Sequence, residues 1–372
     1  MLEGLPQRTD GQTREDFETI VHAFQYAVEN YPNTIAIRCG EDQASYLEYG
    51  EGVAAIAAFL TSQGIVKGER VAICASSSIS LPMLIFGVLS AGAQATLINP
   101  NYTEREINPL LDISEPKLIF HDATSQAAIE NASEGREIRL IDTAEPAENW
   151  QDKSVTSLPS ALPRAEDGAI IMFTGGTTGV SKGVPHSHAK VIAAMQIQED
   201  RWPTDIGTDI WLNVPPLFHI TGLYHGCFQP IYGCNGTVLL PRFHPELVLE
   251  AIEKQGITTI IVGVPTAYAA MLGYPGLDDI DFSAVKYCGS GGAALADKIK
   301  TEWQTRTGVP ALEGYGMTEG APTCNNPYVG QRKSYSAGQP VACLDFRIVD
   351  LETGTKEMPI GESGEITVKG PH

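Results

Sequence analysis

The sequence predicts an α/β fold built on parallel sheets, and three observations carry that prediction. Short apolar, strand-like pieces alternate with helical stretches at 71–75, 81–89, 117–121, 169–173, 210–214 and 257–264. Such alternation lays helices on the faces of parallel sheets. The piece 169–173 then empties directly into glycines, hydroxyls and one lysine, FTGGTTGVSKG over 173–183. From about Ser334 the character changes to short strands with turn signals, as in 345–350 followed by Glu352-Thr353-Gly354, which fits a small β-barrel subdomain.

Taken in order, each element has a local reason. The most apolar run, 81–98, is broken by Ser90, Gly92 and Gln94, so it reads as a buried helix and strand rather than a membrane span. Residues 133–164 mix polar side chains and prolines and read as a surface connection. After the glycine-rich loop, Val191-Ile192-Ala193-Ala194-Met195 is helical in pattern. Further on, strand-like 285–288 precedes Gly289-Ser290-Gly291-Gly292-Ala293-Ala294 and a helix-like stretch from Ala296 to Thr305.

With 372 residues and 43% hydrophobic content the chain can bury large cores, in two or three packed units. Its formal charge of −20 makes it a poor partner for nucleic acid or anionic membrane. Seven scattered cysteines (Cys39, Cys74, Cys227, Cys234, Cys288, Cys324, Cys343), with no C-x-x-C spacing, point to a reduced, cytoplasmic protein. The start, Met1 to Pro6, lacks the basic end and apolar core of a secretory signal. No histidine shows zinc-ligand spacing.

The loop at 174–182 is built to hold phosphate. Gly175, Gly176 and Gly179 bring bare amides against an anion; Thr174, Thr177, Thr178 and Ser181 add hydroxyl donors, and Lys182 adds charge. It is not a Walker A loop, because Lys182 follows Ser181 and precedes Gly183. Gly179-Val180-Ser181-Lys182-Gly183 matches a nucleophile-elbow pattern, but Ser181 stands eight residues past Phe173 instead of on a turn directly after the strand. Gly289 to Ala294 reads as G-x-G-x-x-A after a strand, with Glu313 about twenty residues on. That keeps a nicotinamide-dependent oxidoreductase as an alternative. Leu312 to Gly320, LEGYGMTEG, adds three glycines, an aromatic, a hydroxyl and a second carboxylate, more than a ribose-binding strand end needs.

FTGGTTGVSKG, EGYGMTEG and the later Tyr335-Ser336-Ala337-Gly338-Gln339-Pro340-Val341 together resemble the adenylate-forming acyl-CoA synthetases, the AMP-dependent synthetases and ligases. Further segments match in order: 44–49, 89–93 with Asn99-Pro100, 215–223, 361–366 and 368–371. Gly175 and the Asn325-Asn326-Pro327-Tyr328 segment resemble the fatty acyl branch. The resemblance implies the large N-terminal domain of these enzymes: two parallel-rich α/β sheet subdomains over 1–333, and from 334 to 372 the start of a small β-barrel subdomain.

It also implies a reaction and roles. A carboxylic acid of medium or long chain would be activated by ATP to an acyl-adenylate with release of pyrophosphate, and coenzyme A would then take the acyl group. Thr174, Gly175, Gly176, Thr177, Thr178, Gly179, Ser181 and Lys182 would wrap the β- and γ-phosphates. Thr318 would contact the α-phosphate and Glu319 would hold Mg²⁺. Gly291, Gly292 and Ala293 with Glu313, Gly314, Tyr315, Gly316 and Met317 would frame the adenine. His219 would sit near the acyl carboxylate, and Gly222, Leu223, Val264, Gly289 and Gly316 would form the acyl pocket. A homodimer is compatible with the resemblance. The chain ends at His372, before the family's Thr-Gly-Asp segment, hinge and C-terminal lid with its lysine, which implies poor turnover by this form. A catalytically silent nucleotide-binding protein is the remaining alternative.

Overall fold

A computed structural model describes residues 15–174 and 181–372. Two sheets hold most of the strands. The six-stranded sheet runs Arg139–Asp142, Leu118–His121, Arg70–Cys74, Gln94–Leu97, Gly168–Thr174, Lys182–Ser187, all parallel until the last strand turns back antiparallel. In the nine-stranded sheet the parallel centre is Ala311–Met317, Tyr287–Ser290, Thr259–Gly263, Ile210–Asn213, Gly236–Leu239 and Ile35–Cys39. Antiparallel strands close both edges: Asp42–Ser45 on one side, Gly320–Asn325 and Gln339–Pro340 on the other. The expected parallel α/β architecture is therefore present.

The helices between strands have identifiable starts and stops. Tyr46–Ser62 begins with a capping box, the Ser45 hydroxyl accepting from the Glu48 amide while the Glu48 carboxylate accepts from the Ser45 amide at 2.8 Å. Ser80–Ser90 is apolar all round and buried from Leu81 to Ser90, as the sequence expects of an interior helix. His188–Arg201 starts on a Ser187 cap, and Asp297–Thr307 stops at Gly308, whose φ of 73° suits glycine. The largest core joins both sheets through Phe24, Tyr49, Phe86 and Phe228, whose rings meet at centroid distances of 4.7–6.0 Å. A second core lies under the other face of the nine-stranded sheet, around Tyr268 and Trp303.

Two sequence expectations change. Within the supposed surface connection 133–164, Arg139–Asp142 is an edge strand, paired in parallel with Leu118–His121. Its four residues are too short and too polar to announce a strand; pairing with a buried neighbour makes it one. The β-barrel does not form among the described residues. Asp345–Val349 and Glu365–Lys369 make a two-stranded antiparallel sheet, while Gln339–Pro340 joins the edge of the large sheet instead. Ile348 and Ile366 stay about a third exposed, so the pair encloses no core. All seven cysteines are free thiols, and no helix among the described residues is long and apolar enough to cross a membrane.

Candidate functional site

Four adjacent parallel strands of the large sheet, ending at Asn213, Gly263, Ser290 and Met317, present their carboxyl ends to one cavity of about 650 Å³. Open parallel sheets take ligands at that end, where loops leave strands whose backbone is already paired. The loops are tied to one another. The Gly291 amide donates to the Gly263 carbonyl at 2.7 Å and the Ser290 hydroxyl to the same carbonyl at 3.2 Å. Asn213 Nδ2 donates to the Pro215 carbonyl at 2.7 Å, bracing the turn that leads to His219. Helix His188–Arg201 forms the opposite wall with Ala194, Met195 and Gln198.

Of the residues singled out in the sequence, His219, Val264, Gly289, Gly291, Gly292, Gly314, Tyr315, Gly316, Met317 and Thr318 line this cavity. His219 caps the short helix Ile220–Leu223 and leans on the Phe218 ring; the surrounding protein lowers its proton affinity, so it is neutral at neutral pH. Val264, Tyr315 and Phe243 expose apolar surface at the mouth, 48%, 37% and 41% respectively, an unpaired ring fit to receive a flat base. Gly292, at φ 75°, lets the chain turn away there without a side chain.

Thr318 and Glu319 form the two-residue tip between Ala311–Met317 and Gly320–Asn325. That tip faces strand Lys182–Ser187: the Thr318 backbone and the Glu319 charge both favour a proton on His186, yet burial outweighs them and holds His186 down to about 4. The glycine-rich loop starts at Thr174 and returns at Lys182, which are opposite one another in register. Gly175, Gly176, Thr177, Thr178 and Gly179 lie outside the described residues; Ser181 is half-buried and Lys182 exposed. Phe173, just before the loop, and Thr318 at the hairpin tip both line the cavity.

Other singled-out residues are placed elsewhere. The Glu313 carboxylate turns toward helix Asp297–Thr307, accepting from the Leu295 amide and Lys300 Nζ, both at 3.3 Å. Ala293 is exposed beside the cavity. Gly222 lies against the 215–216 turn, where a Cβ would stand 2.1 Å from the Pro216 carbonyl oxygen, and Leu223 is fully buried in the core. The dinucleotide reading also loses its geometry, since helix Asp297–Thr307 opens after Ala296, beyond the glycines instead of on them.

Sequence reasoning passed over the inner wall. Gln198, Trp202, Tyr224 and His225 also line the cavity, although no motif in the sequence points to them. The positions 194, 198 and 202 share one helical face, a periodicity that could have pointed to them. His225 had no such signal, because it rides on a π-helical turn, Tyr224–Phe228.

For Mg²⁺, the described residues hold no cluster of three or more His, Cys, Asp or Glu. Glu319 is exposed at the hairpin tip, with no ion pair or hydrogen bond to another described residue. One free carboxylate suits an ion that takes most of its oxygens from phosphates and water.

Strand-end cavity, glycine-rich loop and free carboxylate together define a ligand-binding α/β protein of the nucleotide-handling kind. The chain belongs to the AMP-binding enzyme family, whose model matches residues 24–372. It is 31% identical over 354 residues to a long-chain-fatty-acid–CoA ligase of Bacillus subtilis, covering 85% of this chain and 62% of that protein. With the ligase of the same description from Salmonella typhimurium it shares 29% identity, covering 95% and 70%. The crystal structure of ATP-bound MatB from Rhodopseudomonas palustris superposes with a TM-score of 0.85 at 27% identity, over 94% of this chain and 70% of that one. The chain thus spans 62% to 70% of the length of these relatives.

Proposed function

We propose that this chain carries the adenylation site of an AMP-forming acid–thiol ligase. A carboxylate oxygen of the acid attacks the α-phosphorus of ATP, the bond to the β-phosphate oxygen breaks and pyrophosphate leaves. The thiol of coenzyme A then attacks the acyl carbon and AMP leaves. Nucleophile and leaving group both belong to substrates, so the protein's work is alignment and charge stabilisation. The observation that carries the reading is the convergence of His219, Thr318 and the Gly314–Met317 stretch on one cavity that Phe173, next to the loop's first residue, also lines.

In this reading Thr174, Ser181, Lys182 and the glycines between them cradle the outer phosphates, and the Thr318 hydroxyl meets the α-phosphate. Tyr315 and Val264 cover the adenine, with Gly291, Gly292 and Gly316 giving it room. Neutral His219 hydrogen-bonds the acid's carboxylate without pairing with it as an ion, so the attacking oxygen keeps its charge. Glu319 would hold Mg²⁺, which when bound offsets phosphate charge. Glu313 supports the wall through Lys300 and the Leu295 amide. The fatty acyl names of the curated relatives and the apolar lining favour an acid with a medium or long aliphatic tail.

Thermal unfolding tests this, because a ligand selective for the native state raises apparent stability. A non-hydrolysable acyl-adenylate mimic, and ATP with Mg²⁺, should raise the midpoint, while NAD should not. Glu319→Gln should lose the Mg²⁺-dependent part of the ATP shift and keep the shift from the mimic. A response to NAD alone sinks the proposal.

A further inference from the structure

The closed end of the cavity is not the apolar tube that a plain alkyl tail wants. Gln198 is only 2% exposed and lines the cavity; its Oε1 accepts from Asn325 Nδ2 at 3.1 Å, but its Nε2 has no partner. His225 also lines the cavity, and its Nδ1 is buried without a partner among the described residues. Burial keeps this imidazole uncharged, its pKa lowered to about 4, so it meets a ligand as a neutral donor or acceptor. Native interiors leave few such groups unpaired, because a buried donor with no partner keeps its full desolvation cost.

Both groups are held where they are. The His225 ring stacks on Trp211 at 6.1 Å and 15°, and its other neighbour is the Trp202 indole at 6.2 Å. Trp202 is fixed in turn, its Nε1 donating to the Asn326 carbonyl at 2.8 Å. The Trp202 rim packs across Gly289, where a Cβ would come within 3.2 Å of the indole. His225 cannot swing away to find another partner without breaking that stack, and Gln198 is held by its hydrogen bond from Asn325. A π-helical turn, a local irregularity frequent at functional sites, puts His225 there.

We propose that the closed end of the cavity recognises an acid whose tail carries an oxygen, a hydroxyl or carbonyl, which accepts from Gln198 Nε2 and hydrogen-bonds His225 Nδ1. This rests on the adenylation reading and narrows its substrate to oxygenated acids. A site that hydrogen-bonds a substrate oxygen rejects the analogue lacking it far more strongly than an apolar pocket rejects an added group.

The test is calorimetric binding of acyl-sulfamoyl adenosines to the wild-type chain. Matched tails are compared with and without one hydroxyl or keto oxygen walked along the chain, and the acetyl compound serves as a tail-less control. At one position the oxygenated tail should bind more than about tenfold tighter than its plain partner. Gln198→Met and His225→Phe should each bring that ratio toward one. Plain tails binding as well as every oxygenated isomer, with the acetyl compound still bound, would overturn the inference alone. Failure of the acetyl compound as well would overturn the adenylation reading with it. The wild-type comparison decides the matter even if a variant folds poorly.

Discussion

Acidification to about pH 5 should remove much of this protein's stability, through histidines and not carboxylates. His186, His188 and His225 are buried and uncharged, each with its pKa lowered from 6.5 to about 4, chiefly by desolvation. In the unfolded chain all three titrate near 6.5. Their stabilising contribution is therefore whole above about pH 6.5 and drains away as pH falls toward 4, because only the unfolded state takes up the protons in that window. At about pH 5 each unfolded imidazole is almost fully protonated, roughly 1.5 pH units below its pKa, while each native one is still neutral. That is about 2 kcal/mol per histidine and about 6 kcal/mol for the three. Domains of this kind hold only about 5–15 kcal/mol in all. His219 and His372 shift in the same direction and add to the loss. Asp122 and Asp167 are lowered from 3.8, so what they contribute disappears only below about pH 4, outside the window. The assay is urea unfolding followed by tryptophan fluorescence, from about pH 7.5 to pH 5. His188 provides the control: it is fully buried with both ring nitrogens unpartnered, facing Asp167 and His22. His188→Met should recover about 2 kcal/mol of the acid loss. A stability that stays level down to pH 5, or a His188→Met curve parallel to the wild type, would refute the reasoning.

Other outcomes follow from single contacts. Lys286→Met leaves Asp209, 2% exposed and paired with Lys286 Nζ at 2.6 Å, with only Thr258 and backbone partners; denaturant unfolding should show a loss of about 3 kcal/mol. Trp202→Phe keeps a ring against His225 but strands the Asn326 carbonyl, and should lower stability by about 1–3 kcal/mol. Gly289→Val drives methyls into Ile261 and Trp202, where a Cβ already stands 2.8 and 3.2 Å away. Long-tailed adenylate mimics should then bind more weakly while the acetyl compound is spared, a difference that competition binding reads directly. Ser187→Ala should cost the helix His188–Arg201 about 1 kcal/mol, measured by the same unfolding assay.

Local patterns were legible wherever a short stretch settles its own structure. The apolar runs at 71–75 and 257–264 announce buried strands because nothing but a covered sheet hides so many consecutive apolar side chains. The ordered segments FTGGTTGVSKG and EGYGMTEG announce the family, whose model matches residues 24–372. The strand Arg139–Asp142 was not legible, since four mixed residues become a strand only by pairing. The absence of a closed barrel among residues 334–372 likewise depends on which strands find partners. Glu313 illustrates the limit at the site itself: its place in the motif says nothing of the turn its carboxylate makes toward Lys300.

By itself, then, the sequence determined the α/β class and the family, because these are written in residues close together along the chain. The tertiary structure alone decided that strand ends from four separate segments share one cavity, and that its inner end is walled by Gln198, Trp202 and His225. Gln198 and Trp202 share a helical face, but no local pattern relates them to His225 on its π-helical turn. The unpartnered nitrogens of Gln198 and His225 become visible only when packing shows which groups found a partner and which did not.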